Sequence, residues 1–390
     1  MTGVALSGCL LLGLVFAEIS QAEDGPMPQS AQLPGDEKPK AGRPKEPPLL
    51  DLERVHVTDA GTKDLAKLKR IKSLDLYRSK ETDAALKNLA GLTQLRRLYL
   101  CRTAVTDAGL KHLAAMKQLE VLELRYTKVT DAGLKHLTAL EQLQRLDLAD
   151  TQVTGSGLKD LSELRQLYFL NLFNTPVTDA ELQNLAGLKQ LGWLDLRATK
   201  ISDTGLKHLA GLEQVQTLYL NHTKLTGAGL KHLAGLKDLR MLSLGNTQVT
   251  DSGLEALAGL AHLQELHLFH TKITDNGMKV LANLKELEVL ELSDTALTDV
   301  GVKALSGLTK LKVLNLSRTM ITDAALTHLS GLKQLRRLYL SHTHVTDVGL
   351  KALAPLNQMF FLDLSFTQVT SAGVRELYQT MPSASILNTK

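Results

Sequence analysis

The feature that most limits what this chain can fold into is a repeat of fixed length. A Thr, within a V-T-D step in six units, stands at 58, 82, 106 and 130 and recurs every 24 residues to 370, with Ser202 the one substitute. No insertion breaks the phase, so fourteen units fill residues 47–382. A representative unit is LEVLELRYTKVTDAGLKHLTALEQ, Leu119 to Gln142. Its fourth, sixth and nineteenth positions are Leu in every unit, from Leu50, Leu52 and Leu65 to Leu362, Leu364 and Leu377. A single unit of this length buries too little apolar surface to offset the entropy of ordering it. Stacked units share one core, which is the logic of a solenoid.

Each unit divides into two halves. The first, L-x-x-L-x-L-x-x-T-x-V, alternates at its centre and predicts a short strand with its leucines on one side. The second, T-D-A-G-L-K-H-L-x-x-L, spaces its leucines three apart and predicts a short helix. Thr130 or Asp131 is placed to cap that helix, and an Asp there suits the helix dipole. Gly91, Gly187, Gly211, Gly235 and Gly259 fall where a glycine would close the helix C-terminus.

These residues resemble leucine-rich repeats, whose L-x-x-L-x-L signature recurs here with a period of 24. The continuation V-T-D-A-G-L-K-H-L-A-G-L is similar to the repeats of F-box substrate adaptors, and closer to secreted repeat proteins of planctomycete-type bacteria. The resemblance implies an α/β solenoid, a leucine-rich-repeat horseshoe with a concave parallel β-sheet and convex short helices. Strands about 4.8 Å apart would give a floor roughly 65 Å long. The usual Asn or Cys after the strand is Thr in twelve units, Thr103 to Thr367. A hydroxyl donates one hydrogen bond where an amide donates two, so a weaker brace is expected. Pro47, Pro48, Leu49 and Val55 mark an atypical first unit. Residues 383–390, with Ile386 in phase with the core leucines, read as a half-repeat cap. Cysteine-rich caps like those of animal extracellular relatives are absent, which favours a bacterial origin.

Ahead of the repeats, Ala5 to Ala17 (ALSGCLLLGLVFA) has the length of a signal-peptide h-region, and Ser20-Gln21-Ala22 offers small residues for cleavage. Residues 1–22 are therefore expected to be a signal peptide and the protein exported to a periplasm, an envelope or the medium. Leu6-Ser7-Gly8-Cys9 looks like a lipobox, but the apolar run follows that cysteine instead of preceding it. Residues 23–48 hold seven of the ten prolines among mixed charges, so 23–46 reads as a disordered linker. No apolar run reaches the roughly 18 residues a membrane span needs. With only Cys9 and Cys101, no disulfide framework is available. A net charge of +4 is too small to mark a nucleic-acid partner.

Strand positions three, five and seven alternate with the core leucines and face the concave side. Aromatic residues are only 4% of the chain. All thirteen between Leu50 and Thr370 fall at positions two to eight, none at a leucine position. The densest group places Phe169 beside Trp193 in column three and Phe173 beside Arg197 in column seven. Asn171, Asp195 and Tyr219 share column five, with Arg145 and Asp147 one unit upstream. Aromatic anchors ringed by Arg and Asp resemble the hot spot of a protein or peptide site, and stacked rings also suit a glycan. Cross-strand ring pairs stabilise sheets as well, and Glu181 for Gly and Gln183 for Lys show the same unit departing elsewhere.

Other signals point to scaffold. Lys111, Lys135, Lys159, Lys207, Lys231, Lys303 and Lys351 form a convex row. Asp107, Asp131, Asp203, Asp299 and Asp347 precede five of them by four residues, the spacing for i,i+4 pairs. His222, His267 and His270 share the floor but lack a carboxylate at ligand spacing, so no metal is expected. Ser293, Ser317, Ser341 and Ser365, with His342 and Asp363 near, lack a strained elbow or oxyanion donor. Cys101 stands alone on the floor. No cofactor motif is present. The expected function is a non-enzymatic scaffold for a protein or peptide, with a glycan-binding surface protein or an intracellular F-box-like adaptor without its F-box as alternatives. Ligand identity and oligomeric state are not legible.

Overall fold

The computed structural model of the chain describes residues 62–63, 71–80 and 82–389. The signal-like segment, the Pro-rich linker and the features of the first unit, including Leu50, Leu52, Val55 and Leu65, lie outside the described residues. Fourteen strands of three residues each form one parallel sheet in sequence order, from β1 (Ser73–Asp75) to β14 (Ser385–Leu387). Neighbouring strands pair at the repeat spacing: Leu74 opposes Leu98, Leu170 opposes Leu194, and Leu362 opposes Ile386. A helical segment follows every strand from β1 to β13 and packs against its neighbour on the other side of the leucines. Each unit alone would leave its leucines half-covered. Stacked, the fourth, sixth and nineteenth positions are completely buried in almost every described unit.

A left-handed turn ends each strand. Position eight has a positive φ in every described unit, from Arg78 (57°) through Asn174 (51°) to Phe366 (56°), and none of these residues is glycine. This conformation is costly for an L-residue and least so for Asn, Asp or His. Asp150, Asn174, His222, Asn246, His270, Asp294 and His342 follow that preference, while Ala198, Arg318 and Phe366 do not. The next residue completes the turn. The hydroxyl of each Thr from Thr103 to Thr367 donates to the carbonyl of the leucine three residues earlier, as in Thr127 to Leu124 at 2.6 Å. The single bond expected of Thr is made, and it stays inside the unit.

The helices differ from expectation in three ways. From Ser156 to Leu233 they are 3-10 segments, whereas α-helical turns occur before and after. The glycines at 91, 187, 211, 235 and 259 do not close them through a left-handed residue, because positive φ among the described glycines is confined to Gly155 and Gly227. The closing residues, Ala90 and Ala210 among them, remain right-handed and pass into a further i→i+3 turn such as Leu92 to Leu89. Finally, the aspartates turn sideways to the next unit instead of pairing with lysines along their own helix. Asp107 accepts from both the backbone N–H and the hydroxyl of Thr130, at 2.8 and 2.6 Å.

That sideways contact is a ladder. Asp83, Asp107, Asp131, Asp179, Asp203, Asp251, Asp275, Asp299, Asp323 and Asp347 each hold the Thr, or Ser202, of the following unit. The same Thr hydroxyl caps its own helix, as Thr130 accepts from Ala132 N–H at 3.2 Å. The glycine three residues after that Thr leaves room: a Cβ on Gly109, Gly133 or Gly349 would meet the preceding unit's carboxylate where it stands, although Ala325 takes the same position with Asp299 accepting its N–H. The motif T-D-x-G thus encodes one joint. Thr receives, Asp reaches forward, and Gly leaves room for the Asp behind it.

Gly155 and Gly227 stand where that Asp should be. Opposite Gly155, Glu181 occupies the glycine position, and its carboxylate takes both the N–H and the hydroxyl of Thr178 in its own unit. A Cβ on Gly155 would lie 2.6 Å from that of Glu181. Acid and glycine have exchanged places, and Glu181 supplies the carboxylate that Gly155 lacks. Opposite Gly227 stands Gly253, and the described residues place no carboxylate on Thr250, whose hydroxyl meets only Ser252 at 3.1 Å. A cleft of about 430 Å³ opens at this joint, lined by Thr226, Lys231, Ser252 and Glu255 with the two glycines.

Candidate functional site

The phase of the repeat puts positions three, five and seven of each strand on the sheet face, opposite the leucines. Strand register then brings the eight candidate residues together. Phe169 directly opposes Trp193, and Asp195 directly opposes Tyr219. The rings of Phe169 and Trp193 stack with centroids 3.9 Å apart and planes 12° from parallel. Tyr219 tilts against Trp193 at 5.3 Å. From the strand before, the Arg145 guanidinium lies 3.5 Å from the centre of the Phe169 ring, while its Nε donates to Glu123 at 3.0 Å. The result is a ribbon of Glu123, Arg145, Phe169, Trp193 and Tyr219 across five consecutive strands.

A second line runs beside it in column seven. Arg197 lies 4.9 Å from the Phe173 ring centre and 5.0 Å from that of Tyr219. Its Nε and a terminal nitrogen both reach Asp195, at 2.8 and 2.7 Å. Arg125 approaches the Phe173 ring from the other side, at 5.7 Å, and holds Asp150 at 3.3 Å.

The packing changes what this face offers. Phe169 is only 3% exposed and Trp193 9%, because ring and guanidinium cover one another. Asp147 and Asp195 are buried too. Each carboxylate accepts the backbone N–H two residues ahead, Ala149 for Asp147 and Arg197 for Asp195, and so pins the strand exit. Asn171, Glu291, Asn315 and Asp363 make the same bond in their units. Column-five acids and amides are thus a backbone device that the sequence pattern alone did not reveal. What reaches solvent is the edges of Arg145, Phe173, Arg197 and Tyr219, all half-buried.

Burial also sets the charge. Desolvation, then the nearby Glu123, pushes the Asp147 carboxyl up to about 7 against the Ala149 N–H and the two arginines. Burial carries the Tyr219 hydroxyl up to about 12. Cys101, expected on the open floor, is buried with its thiol 3.7 Å from Glu123, and desolvation drives its pKa upward, away from a reactive thiolate. His222 pairs with Asn246 and His270 with Asp294, each at 2.6 Å, and no cluster of three metal-ligating side chains occurs among the described residues.

Sequence reasoning passed over a second aromatic group near the C-terminal end. Tyr339 and Phe361 meet at 5.2 Å, and His342 stacks on Phe366 at 4.5 Å. Phe360 and Phe366 are 45% and 40% exposed, far more than the Phe169 pair. Column reading undervalued them because Phe360 and Phe366 occupy positions two and eight, at the rims of the strand.

A family model described as a leucine-rich repeat region matches residues 55–299, and a leucine rich repeat model matches residues 285–345. An internalin (inlF) from Listeria monocytogenes superposes with a TM-score of 0.67 at 26% identity, covering 85% of this chain and 88% of its own. A leucine-rich-repeat protein of Leptospira interrogans gives 0.61 at 20% identity, over 87% of this chain and 94% of that one, a likeness of fold. No curated protein matches in sequence. No helix among the described residues is long and apolar enough to cross a membrane.

Proposed function

The chain belongs to the leucine-rich-repeat family, and on that premise we propose that it is a non-enzymatic, exported scaffold that binds a protein or peptide on its sheet face. The observation that carries the reading is the unbroken Arg145–Phe169–Trp193–Tyr219 ribbon with Phe173 and Arg197 beside it. Rings locked by their neighbours lose little entropy on binding, and half-buried Arg and Tyr edges around a packed aromatic centre are the residue types that dominate interface energetics. Asp147 and Asp195 serve here by orienting the strand exits and Arg197 rather than by meeting the ligand. Export rests on Ala5–Ala17 and on Ser20-Gln21-Ala22. A mature N-terminus at Glu23 is the expected result of sequencing the native protein, and an unprocessed Met1 contradicts export.

The ligand is sought by pull-down with the Glu23–Lys390 fragment from the native envelope fraction. Replacing Phe173 and Arg197 by Ala then weakens the captured ligand by one to two orders of magnitude, about 1–3 kcal/mol, with the circular dichroism unchanged. Unaltered affinity in that double variant removes the site.

A further inference from the structure

The sheet side changes sign between β10 (Val289–Glu291) and β11 (Val313–Asn315). Positions two to eight of the units at β9 (Glu265–His267) and β10 hold Glu265, Glu288, Glu291 and Asp294 and no Lys or Arg. The same positions at β11, β12 (Arg337–Tyr339) and β13 (Phe361–Asp363) hold Lys312, Arg318, Arg336 and Arg337 against one acid, Asp363. That acid is buried and accepts the Ser365 N–H. Lys312 pairs with Glu288 across the boundary at 2.6 Å. Among the described residues no carboxylate pairs with Arg318, Arg336 or Arg337.

Rings accompany these cations. The Arg337 guanidinium lies 5.1 Å from the centre of the Phe360 ring, ahead of β13. Beyond β13, Phe366 stacks on His342, and a terminal nitrogen of Arg318 lies 3.3 Å from His342 Nε2. Eight large apolar side chains are exposed among the described residues, and seven of them, Phe360 and Phe366 included, stand at residue 300 or later. Exposed rings beside unpaired arginines are the make-up of an interaction surface. Arg318 and Phe366 also hold a positive φ of 56°, where Asn or Asp costs less. Strain kept at an open surface points to use rather than to packing.

We propose that Arg318, Arg336, Arg337 and His342, with Phe360 and Phe366, form a docking surface for an acidic peptide segment that carries at least one large apolar side chain. Its carboxylates pair with the open guanidinium edges, and its apolar side chain covers a phenylalanine. Three strands spaced about 4.8 Å apart make the cationic stretch only about 10 Å wide. A uniform polyanion, whether nucleic acid or sulfated glycan, runs on from there to Glu265, Glu288 and Asp294. A peptide confines its acids to a few residues. The surface lies in the units that follow the Phe169–Trp193 ribbon by several strands and does not depend on the reading above.

The test is a selection of random phage-displayed peptides on the full chain, followed by synthesis of the most enriched sequences. Net-acidic peptides with an aromatic or large aliphatic residue are expected to win. Their affinity should fall about tenfold or more as ionic strength rises from about 0.05 to about 0.5 M. Arg318→Glu combined with Arg337→Glu is expected to weaken them by about tenfold or more, whereas Phe169→Ala leaves them within about a factor of two. Phe366→Asn is expected to weaken them about fivefold and yet to raise Tm, because Asn suits the left-handed position better. Selections without an acidic class overturn the proposal, as does binding indifferent to the arginine reversals. A lower Tm in Phe366→Asn overturns it as well, since the ring then serves the fold. Tighter binding of oligothymidylate or heparin than of the selected peptides overturns it in favour of a polyanion. Self-association that the arginine reversals abolish overturns it in favour of a second copy of the chain.

Discussion

At the scale of single residues, buried carboxylates pull stability in two directions with pH. Asp131, Asp179 and Asp203 belong to the ladder. Burial opposes their ionisation, but the hydroxyls and backbone N–H groups that point at them outweigh it and hold their carboxyls below the usual range. Their stabilisation is present above the unfolded value, near 4, and is lost as pH falls through the folded one. Asp147 and Glu291 behave oppositely, both raised by burial to about 7. The folded state then holds the proton more tightly, so stability declines as pH rises from about 4 to about 7 and is flat above. The chain should be most stable in mildly acidic solution. Asp147→Asn keeps an acceptor for Ala149 N–H and removes the charge. It should raise stability at pH 8 by about 2 kcal/mol, leave it nearly unchanged at pH 4, and flatten the slope between. Denaturant titration at both pH values is the check, and an equal effect at both contradicts the assignment. The left-handed turn is a second residue-scale matter. Ala198, at φ 53°, has no side-chain group to favour that conformation. Ala198→Asn should gain about 0.5–1 kcal/mol, read as a higher Tm.

At the scale of the element, the joint between units is the T-D-x-G device. Removing one rung, as in Asp275→Ala, strips Thr298 of two hydrogen bonds and Gly301 of one. A loss of about 1–3 kcal/mol is expected in thermal or urea unfolding. The exchanged pair offers a stricter test. Gly155→Asp alone collides with Glu181, and Glu181→Gly alone leaves Thr178 without a carboxylate. The double change rebuilds the ordinary rung, so a double-mutant cycle should show strong positive coupling, and additivity contradicts the compensation. The joint at Gly227 and Gly253 lacks a rung, and Gly227→Asp should supply one once that residue adopts the helical start of its counterparts. Higher Tm and a sharper urea transition are expected, because a solenoid's cooperativity is the sum of its nearest-neighbour joints.

Much of this was legible in the residues, for a physical reason. Leucines at positions four, six and nineteen report burial, and burial is what periodicity records, so the sheet order, register and core follow from phase. Thr130 as helix cap follows from local hydrogen-bonding chemistry. Contacts between units left weaker traces. Asp107 precedes Lys111 by four residues, which reads as a pair along one helix. Only the lateral distance to Thr130 shows where its carboxylate goes. Along the sequence Glu181 is an isolated departure, and its counterpart, Gly155, lies across the joint. At the site, phase alone put Phe169, Trp193, Asp195 and Arg197 on one face. That the rings would cover one another, and that Asp195 would be spent on Arg197 and a backbone N–H, depended on rotamers that periodicity does not encode.

At the scale of the whole molecule, the described units form one parallel sheet whose leucine side is uniform and whose other side varies unit by unit. Most of the variety falls at strand positions two to eight, so recognition is expected wherever rings and arginines depart most from the background. The most direct test of that claim is a hydrogen–deuterium exchange footprint of the captured ligand on the full chain. Added protection is predicted in peptides spanning residues 145–147, 169–173, 193–197 and 217–219, with the helix-side segments around 131–137, 156–161 and 181–185 unchanged. Protection confined to the helix side, or to the Phe360–Phe366 region alone, would contradict the account.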